Sequence, residues 1–214
     1  CPGVNANAVA EYVLTLMLSM TRELFDLGRT GATTFRTTRS LLNSKIGLIG
    51  MGHIGQRVAA MLKGLGVQDV YYYSRTRKPD VEEKLGISYL PMNDLLKISD
   101  IVSLHVSIEA GEKYFSKEQL ALMNDGALLV NTSFEAALDL DALYSELASG
   151  RLRAAHDGAV NDERFKQLPL GVWFNSNSHT AFNTYEANKS ASDMVTQSII
   201  NLLTIGRDQY QINY

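Results

Sequence analysis

Three glycines at a fixed spacing, in the string Gly50-Met51-Gly52-His53-Ile54-Gly55, are the residues of this sequence with the clearest chemical meaning. Their spacing is that of a turn that binds the pyrophosphate of a dinucleotide. Gly50 would make the tight bend, Gly52 would let the backbone approach the phosphates, and Gly55 would let a helix lie close to a strand. The backbone N–H groups of His53 and Ile54, not their side chains, would then bind the phosphate oxygens.

The residues around this glycine turn supply the context that the motif requires. Residues 45–49 form a short apolar segment that predicts a strand, and residues 56–65 carry apolar side chains at helical spacing. A strand, a glycine turn and a helix within about 30 residues predict a Rossmann-type dinucleotide site. The alternative is a tight turn between a strand and a helix that binds no ligand.

The end of the second predicted strand, residues 69–74, bears on which dinucleotide is bound. A site selective for NAD usually carries Asp or Glu there to bind the ribose 2′-OH, whereas this chain continues Ser74-Arg75-Thr76-Arg77-Lys78. A guanidinium group can hold a 2′-phosphate, and the hydroxyls of Ser74 and Thr76 can donate to its oxygens. This segment therefore favours NADP as the cofactor, with NAD as the alternative. A further alternative is a solvated basic loop that binds no cofactor.

Strand-like and helix-like segments alternate along the whole chain. Strands are predicted at residues 45–49, 69–74, 100–106, 127–131, 153–155 and 172–175. Helices are predicted at 8–27 as one long element, and at 56–65, 92–98, 116–123, 139–149 and 184–205, with a polar surface connection at 28–39. This alternation is typical of a doubly wound parallel α/β sheet covered by helices on both faces.

Composition excludes several functional classes. The chain has 214 residues, 45% of them hydrophobic, a net charge of −3 and one cysteine. A net negative chain offers no footprint for nucleic acid or an anionic membrane, and no apolar run approaches the roughly 20 residues of a membrane span. The four histidines and the cysteine show no metal-ligand spacing. One cysteine favours a reducing, cytoplasmic compartment. The start at Cys1 without a signal peptide predicts an internal piece of a longer polypeptide.

Seven segments together resemble the D-2-hydroxyacid dehydrogenases, particularly the glyoxylate/hydroxypyruvate reductase branch. They are AVAEYVLTLMLSMTR, IGLIGMGHIGQRVA, YYYSRTRKP, SDIVSLHV, ALLVNTS, LASGRLRAA and HTAFNT, in family order over nearly the whole chain. The resemblance implies that residues 1–214 are the nucleotide-binding domain, with an entering helix and connection in 1–40 and a leaving helix in 184–214. The N-terminal part of a substrate domain would be absent, and the protein would be a homodimer that acts on a small molecule.

The resemblance also implies hydride transfer between a nicotinamide and a 2-keto or 2-hydroxy acid. That chemistry uses a His as proton donor, a Glu that keeps it protonated and an Arg that binds the substrate carboxylate. His179 stands at the position of the family histidine, although Ser178 replaces the usual proline before it. For the acid we favour Glu163, with Asp162 as the alternative. Asp157 would then lie beside the nicotinamide amide.

The family arginine has no counterpart in this sequence. After Thr132 and Ser133, which the resemblance places on the cofactor side, the family has Arg-Gly, and this chain has Phe134-Glu135. Phenylalanine cannot pair with a carboxylate. The choice is thus between an active dehydrogenase with an altered substrate site and a catalytically impaired nucleotide-binding protein that acts as a sensor or scaffold.

His105 and Val106 complete the predicted cofactor residues. They end a strand at the position where the family binds the adenosine side of the cofactor. A histidine satisfied within the strand end is an equal alternative.

Overall fold

Seven parallel strands form a single sheet in the computed structural model, which describes residues 3–31, 37–106, 114–169 and 171–207. The strands are β1 (Ile46–Ile49), β2 (Val70–Tyr73), β3 (Ser88–Tyr89), β4 (Ile101–Leu104), β5 (Leu128–Asn131), β6 (Arg153–His156) and β7 (Trp173–Asn175). Their order across the sheet is β3-β2-β1-β4-β5-β6-β7. The first six follow the order of a Rossmann fold, which confirms the predicted fold class.

Helices cover both faces of this sheet. They are α1 (Ala6–Thr21), α2 (Leu24–Thr30), α3 (His53–Gly64), α4 (Pro79–Leu85), α5 (Met92–Ile98), α6 (Lys117–Leu122), α7 (Leu140–Ala148) and α8 (Tyr185–Ile205). Short 3₁₀ helices occupy Leu41–Asn43, Glu135–Ala137 and Glu163–Gln167. None of the helices that the structure describes is both long and apolar enough to cross a membrane.

Two apolar cores lie on opposite faces of the sheet. On one face, Ile46 and Leu48 of β1 belong to a cluster with residues of α1 and α3. On the other, Ile49 belongs to a cluster with residues of α5, α6 and α7. Because both faces of the central strands are buried, their sequences are continuous apolar runs rather than alternating ones.

Three of the predicted helices begin directly after a residue whose side chain caps the helix. Ser116 begins α6 with a capping box, and the Asp139 and Thr184 side chains accept backbone hydrogen bonds at the starts of α7 and α8. These polar groups satisfy N–H groups that have no partner within their own helix.

The prediction of one helix over residues 8–27 is wrong. The Thr21 hydroxyl donates to the Met17 carbonyl at 2.7 Å, the Arg22 N–H closes α1, and Glu23 has φ +55°, in the left-handed region. The chain then re-enters a helix, α2, which extends to Thr30 into the segment predicted as a surface connection. A left-handed backbone at a residue other than glycine does not change the spacing of apolar residues, so the sequence pattern does not show this break.

The sequence interpretation also missed α4 and β3. Proline at the first position of α4 and Gly86 after its end, with φ +63°, are a recognised start and stop pair. That pair would have predicted the helix. β3 has two residues and pairs only with β2, so its pattern is too short to detect.

Candidate cofactor and active site

The predicted cofactor residues and His179 come from one edge of the sheet. Since the seven strands are parallel, the residues that follow each strand meet at the carboxyl edge. The glycine turn follows β1, Ser74 to Thr76 follow β2, and His105 and Val106 follow β4. Thr132, Ser133 and Phe134 follow β5, Asp157 follows β6, and His179 lies beyond β7. This edge is where open α/β sheets bind ligands.

Two of the three glycines allow close backbone contacts. Gly50 has φ +100°, and a Cβ atom there would lie 2.1 Å from the carbonyl oxygen of His105. A Cβ atom at Gly55 would lie 2.1 Å from the carbonyl oxygen of Gly50. Any side chain at either position would therefore separate β1 from β4 or from α3.

Gly52 differs from the other two. It precedes α3 with φ −79°, and a Cβ atom there would meet nothing within 4 Å. The space in front of the α3 N-terminus is therefore open. The first N–H groups of that helix, including those of His53 and Ile54, have no partner within the helix and point toward this space. The residues present thus fit a pyrophosphate group.

A cavity of about 260 Å³ extends from the glycine turn to the end of β2. Its lining includes Ser74, Arg75, Thr76 and Lys78, together with Gly50, Met51, Gly52, His105 and Val106. Arg75 is exposed, and the Ser74 hydroxyl donates to the Thr76 carbonyl at 2.7 Å. One side of the cavity is therefore basic and carries hydroxyl groups.

Arg77 does not belong to this lining. Its guanidinium group donates two hydrogen bonds to the Glu82 carboxylate, at 2.9 and 2.8 Å. These bonds, with another from the Tyr72 hydroxyl, lower the pKa of Glu82 to about 2. The three cations predicted near a 2′-phosphate are thus reduced to Arg75 and Lys78.

The ring nitrogens of His105 are buried at the base of the cavity. Neither nitrogen has a hydrogen-bond partner among the described residues, and burial lowers the pKa of His105 to about 3. His105 is therefore neutral at physiological pH. Nearby, the Ser133 hydroxyl donates to the Leu104 carbonyl at 3.3 Å and joins the ends of β5 and β4.

Asp157 organises the segment that carries His179. It is 2% exposed, and its carboxylate accepts hydrogen bonds from the Ser176 hydroxyl, from the N–H and hydroxyl of Thr180, and from the Ala181 N–H. Burial alone would raise the pKa of Asp157, but these hydrogen bonds outweigh it and lower the pKa. The carboxylate thus accepts its hydrogen bonds within the chain, and the contact beside the nicotinamide amide stays a prediction.

We expect Asp157→Asn to lower the free energy of unfolding by about 1–3 kcal/mol at neutral pH, because an amide NH₂ would face N–H donors. The folded-state pKa of Asp157 is lowered, so the stabilisation from its ionised form is complete above the ordinary value of about 4 and is lost as the pH falls through the lowered pKa. Chemical denaturation should therefore show that the difference in free energy of unfolding between the unmodified protein and D157N becomes smaller in acid.

Asp193→Asn is the matched control for this variant, since Asp193 is 65% exposed and pairs with Lys189 on the surface of α8. It should change the free energy of unfolding by less than about 0.5 kcal/mol. A D157N difference that persists undiminished in acid would contradict the role of the charged carboxylate.

Neither predicted acid is brought to His179. The Glu163 side chain is 82% exposed and pairs with Lys166, while Asp162 caps a 3₁₀ helix and pairs with Arg164. Among the described residues, no hydrogen bond or ion pair joins either carboxylate to His179, which is itself exposed. Residue counting from β6 could not foresee this, because Gly158 has φ +154° and turns the chain in a direction that few side chains allow.

Phe134 stands directly beside His179. Their ring centroids are 6.4 Å apart at an interplanar angle of 63°, an edge-to-face contact, and Phe134 is 62% exposed. Arg151 and Arg153 do not replace the missing arginine. Arg151 donates to backbone carbonyls of α6 and its C-cap and pairs with Glu146, and Arg153 donates to the Met20 carbonyl.

One residue near His179 was not assigned from the sequence. His156, the last residue of β6, is 1% exposed and lies behind Gly158, against which the His179 ring also packs. A histidine directly before a buried aspartate at the end of a strand was the available signal. The described residues contain no group of three or more potential ligands arranged to hold a metal ion.

Comparison with known proteins gives consistent matches. Residues 14–179 match the family model of the D-isomer specific 2-hydroxyacid dehydrogenase NAD-binding domain. The chain is 32% identical over 219 residues to a glyoxylate reductase of Thermococcus litoralis, covering 93% of this chain and 64% of the relative. It is 34% identical over 161 residues to a hydroxypyruvate reductase of Thermotoga maritima, covering 72% of this chain and 51% of the relative.

Solved structures give the same result. A D-lactate dehydrogenase from Treponema pallidum superposes with a TM-score of 0.85 at 25% identity, over 98% of this chain and 69% of that one. A D-isomer-specific 2-hydroxyacid dehydrogenase from Lactobacillus delbrueckii, crystallised with NAD, superposes at 0.87 and 23% identity, over 97% and 70%, which supports the fold alone. The chain spans about 64% of the length of the glyoxylate reductases it matches.

Proposed function

The chain belongs to the family of D-isomer-specific 2-hydroxyacid dehydrogenases, and on that premise we propose that its protein is a nicotinamide-dependent oxidoreductase of 2-keto and 2-hydroxy acids. One observation carries the proposal. The open space in front of α3 and the loop that presents His179 lie at the same edge of the sheet. A phosphate-binding turn and an acid–base group are thereby available to one bound cofactor and substrate.

A bound nicotinamide supplies or accepts the hydride. When a hydride adds to the carbonyl carbon of a 2-keto acid, the carbonyl oxygen becomes an alkoxide and needs a proton. We propose that the His179 imidazolium gives that proton and that the neutral ring takes it back in the reverse reaction. Asp157 holds the His179 loop through Thr180 and Ala181. Glu163 and Asp162 are not assigned a role, given their contacts.

The test uses the full-length protein, including the substrate domain. Glyoxylate or hydroxypyruvate is added with NADPH or NADH, and loss of the nicotinamide absorbance is followed, with direct titration of each cofactor in parallel. Turnover with either substrate supports the proposal. Tight cofactor binding without turnover over a broad panel of keto acids would contradict it.

A second function is favoured by one specific observation. Phe134 occupies the position of the substrate-binding arginine, and no carboxylate contacts His179 within the described part of the chain. A nucleotide-binding protein that has lost turnover, and acts as a cofactor sensor or scaffold, would have this pair of features. The binding-without-turnover outcome of the same experiment would select it.

We propose NADP as the preferred cofactor, with NAD as the alternative that the family model favours. Support comes from the lining of the cavity beside β2, where Arg75 and Lys78 are present and none of the described lining residues is a carboxylate. A 2′-phosphate would be paired by Arg75 and accept hydrogen bonds from Ser74 and Thr76.

We expect Arg75→Ala to weaken NADPH binding at least tenfold and to leave NADH binding unchanged, since only NADPH carries the 2′-phosphate. Arg77→Ala is the matched control, because Arg77 is held by Glu82 outside the cavity lining. It should change NADPH binding less than threefold. Fluorescence titration measures both. Equal affinity of the unmodified protein for NADH and NADPH would refute the cofactor preference.

We further propose that α8 leads into a substrate domain and that the protein is a cytoplasmic homodimer. Apolar side chains exposed on α8 support the first part: Val195, Ile199, Ile200, Leu202, Leu203 and Ile205. Leu203 is 82% exposed, and a row of this kind is normally covered by another unit of protein. Sedimentation of the full-length protein would measure the oligomeric state.

A further inference from the structure

His156 is a buried histidine with one nitrogen satisfied and one not. Its ring stacks on Trp173, and its Nδ1 atom lies 3.1 Å from the Asn131 carbonyl oxygen of the neighbouring strand β5. A carbonyl oxygen can only accept, so Nδ1–H of His156 is the donor. In the neutral ring the other nitrogen, Nε2, then carries a lone pair and can only accept a hydrogen bond.

The environment of His156 keeps this ring neutral. Burial lowers the pKa of His156, and the nearby His179 lowers it further, although the hydrogen bond to Asn131 and the charge of Asp157 oppose them. The buried Nε2 atom has no partner among the described residues. An acceptor that has lost contact with water and has no donor costs free energy, so a donor that can reach it would be held there.

The His179 ring lies close to this atom and can act as a donor. A Cβ atom at Gly158 would lie 2.8 Å from Nε2 of His156, 2.7 Å from Cε1 of His179 and 3.2 Å from Nδ1 of His179. The two imidazoles thus approach each other across the space that a side chain at position 158 would fill. His179 is exposed, whereas His156 is held by Asn131 and Trp173.

The charged and titratable groups around this pair are few. Asp157 of the same segment points its carboxylate into the Ser176–Ala181 hydrogen bonds. The Tyr12 hydroxyl of α1 lies 3.2 Å from the Thr180 hydroxyl and donates to it, since the Thr180 hydroxyl itself donates to Asp157. β5 and β7 contribute Asn131 and Trp173, and Phe134 covers His179 from the end of β5. Within the described part of the chain, Nε2 of His156 is a buried acceptor without a partner that lies close to the His179 ring.

We propose that His156 is a positioning residue for His179. The Nε2 atom of His156 accepts a hydrogen bond from the Nδ1–H group of His179. The Nε2 atom of His179 is then directed toward the substrate carbonyl. The inference rests on the proposed function for its consequence, although the contact itself does not. A neutral acceptor orients the imidazole as a carboxylate would, but it stabilises the imidazolium less. Reduction should therefore be supported over a lower pH range than with a carboxylate partner.

The tautomer of His179 tests this contact without any turnover. In ¹⁵N NMR spectra of the full-length protein, neutral His179 should be mainly the Nδ1–H tautomer. His156→Leu removes the acceptor and should shift His179 to the Nε2–H tautomer, which free imidazole side chains prefer. His156→Gln offers a side-chain carbonyl oxygen and should largely restore Nδ1–H. Nε2–H in the unmodified protein, or a tautomer unaffected by H156L, would overturn the proposal.

Kinetics separate the contact from the proposed function. We expect H156L to lower kcat about tenfold and to move the alkaline limb of the pH profile to lower pH, with cofactor affinity unchanged, and H156Q to reverse both changes. The expected tautomers without turnover would mean that the contact exists and the oxidoreductase proposal fails. Turnover with His179 in the Nε2–H tautomer would mean that the oxidoreductase proposal holds and the contact does not exist. If H156L does not fold, the tautomer of His179 in the unmodified protein and in Gly158→Ala still tests the proposal. The Cβ atom of the alanine would separate the two rings.

Discussion

Gly50→Ala should lower the free energy of unfolding by about 3 kcal/mol and abolish detectable dinucleotide binding. The added Cβ atom would lie 2.1 Å from the His105 carbonyl oxygen, and the backbone at Gly50 has φ +100°, where alanine is strained. Relief requires β1 and β4 to separate, although they are hydrogen-bonded neighbours in the centre of the sheet. Chemical denaturation and NADPH titration of the full-length protein measure the two effects.

Gly52→Ala is the matched control two residues away. Its backbone has φ −79°, and a Cβ atom there meets nothing within 4 Å, so the free energy of unfolding should fall by no more than about 1 kcal/mol. Dinucleotide binding should nevertheless weaken at least tenfold, because the methyl group would enter the space where we place the pyrophosphate. Unchanged affinity in this folded variant would show that the ligand does not approach Gly52.

The central strands β1, β4 and β5 were predictable because they are buried on both faces and are therefore short apolar runs. The five residues 45–49, for example, are apolar apart from Lys45 and Gly47, and β1 occupies Ile46–Ile49 with every residue buried. The break between α1 and α2 was not predictable in the same way. It depends on a left-handed Glu23 and a hydroxyl that bonds within α1, neither of which alters the apolar spacing.

The contacts of the candidate site likewise differ in whether the sequence could predict them. The contact of Gly55 with Gly50 is local to one strand, one turn and one helix, so a short motif describes it. The same motif fixes the position of Gly50, although Gly50 itself contacts His105 of the neighbouring strand end. The proximity of His156 and His179 depends on β6 and the loop after β7 lying side by side. Residue counting cannot supply it, because it is set by elements distant in sequence. The placement of Glu163 depends on the turn at Gly158 and on its pairing with Lys166. Both are local, but residue types alone do not show the direction in which the backbone turns.

The contact between Phe134 and His179 makes position 134 the place to test whether substrate recognition has changed. Phe134 is 62% exposed, and its backbone carbonyl accepts a hydrogen bond from the Asn131 side chain at 3.3 Å. A different side chain can therefore be introduced without disturbing the core or the loop. Phe134 contributes an apolar edge beside His179, the proton donor that we propose, at the position where the resemblance implies an arginine.

Phe134→Arg should raise kcat/KM for glyoxylate or hydroxypyruvate at least tenfold. A charge pair with a desolvated substrate carboxylate contributes on the order of 2–5 kcal/mol, and Glu135 beside it offsets part of that gain. Phe134→Met is the control, since it keeps an apolar side chain of similar length without charge, and it should leave kcat/KM within threefold of the unmodified protein. Steady-state kinetics on the full-length protein compare the three. If arginine gives no more turnover than methionine, position 134 does not bind the substrate carboxylate. If arginine instead lowers an already high kcat/KM, Phe134 contacts an apolar group of the natural substrate.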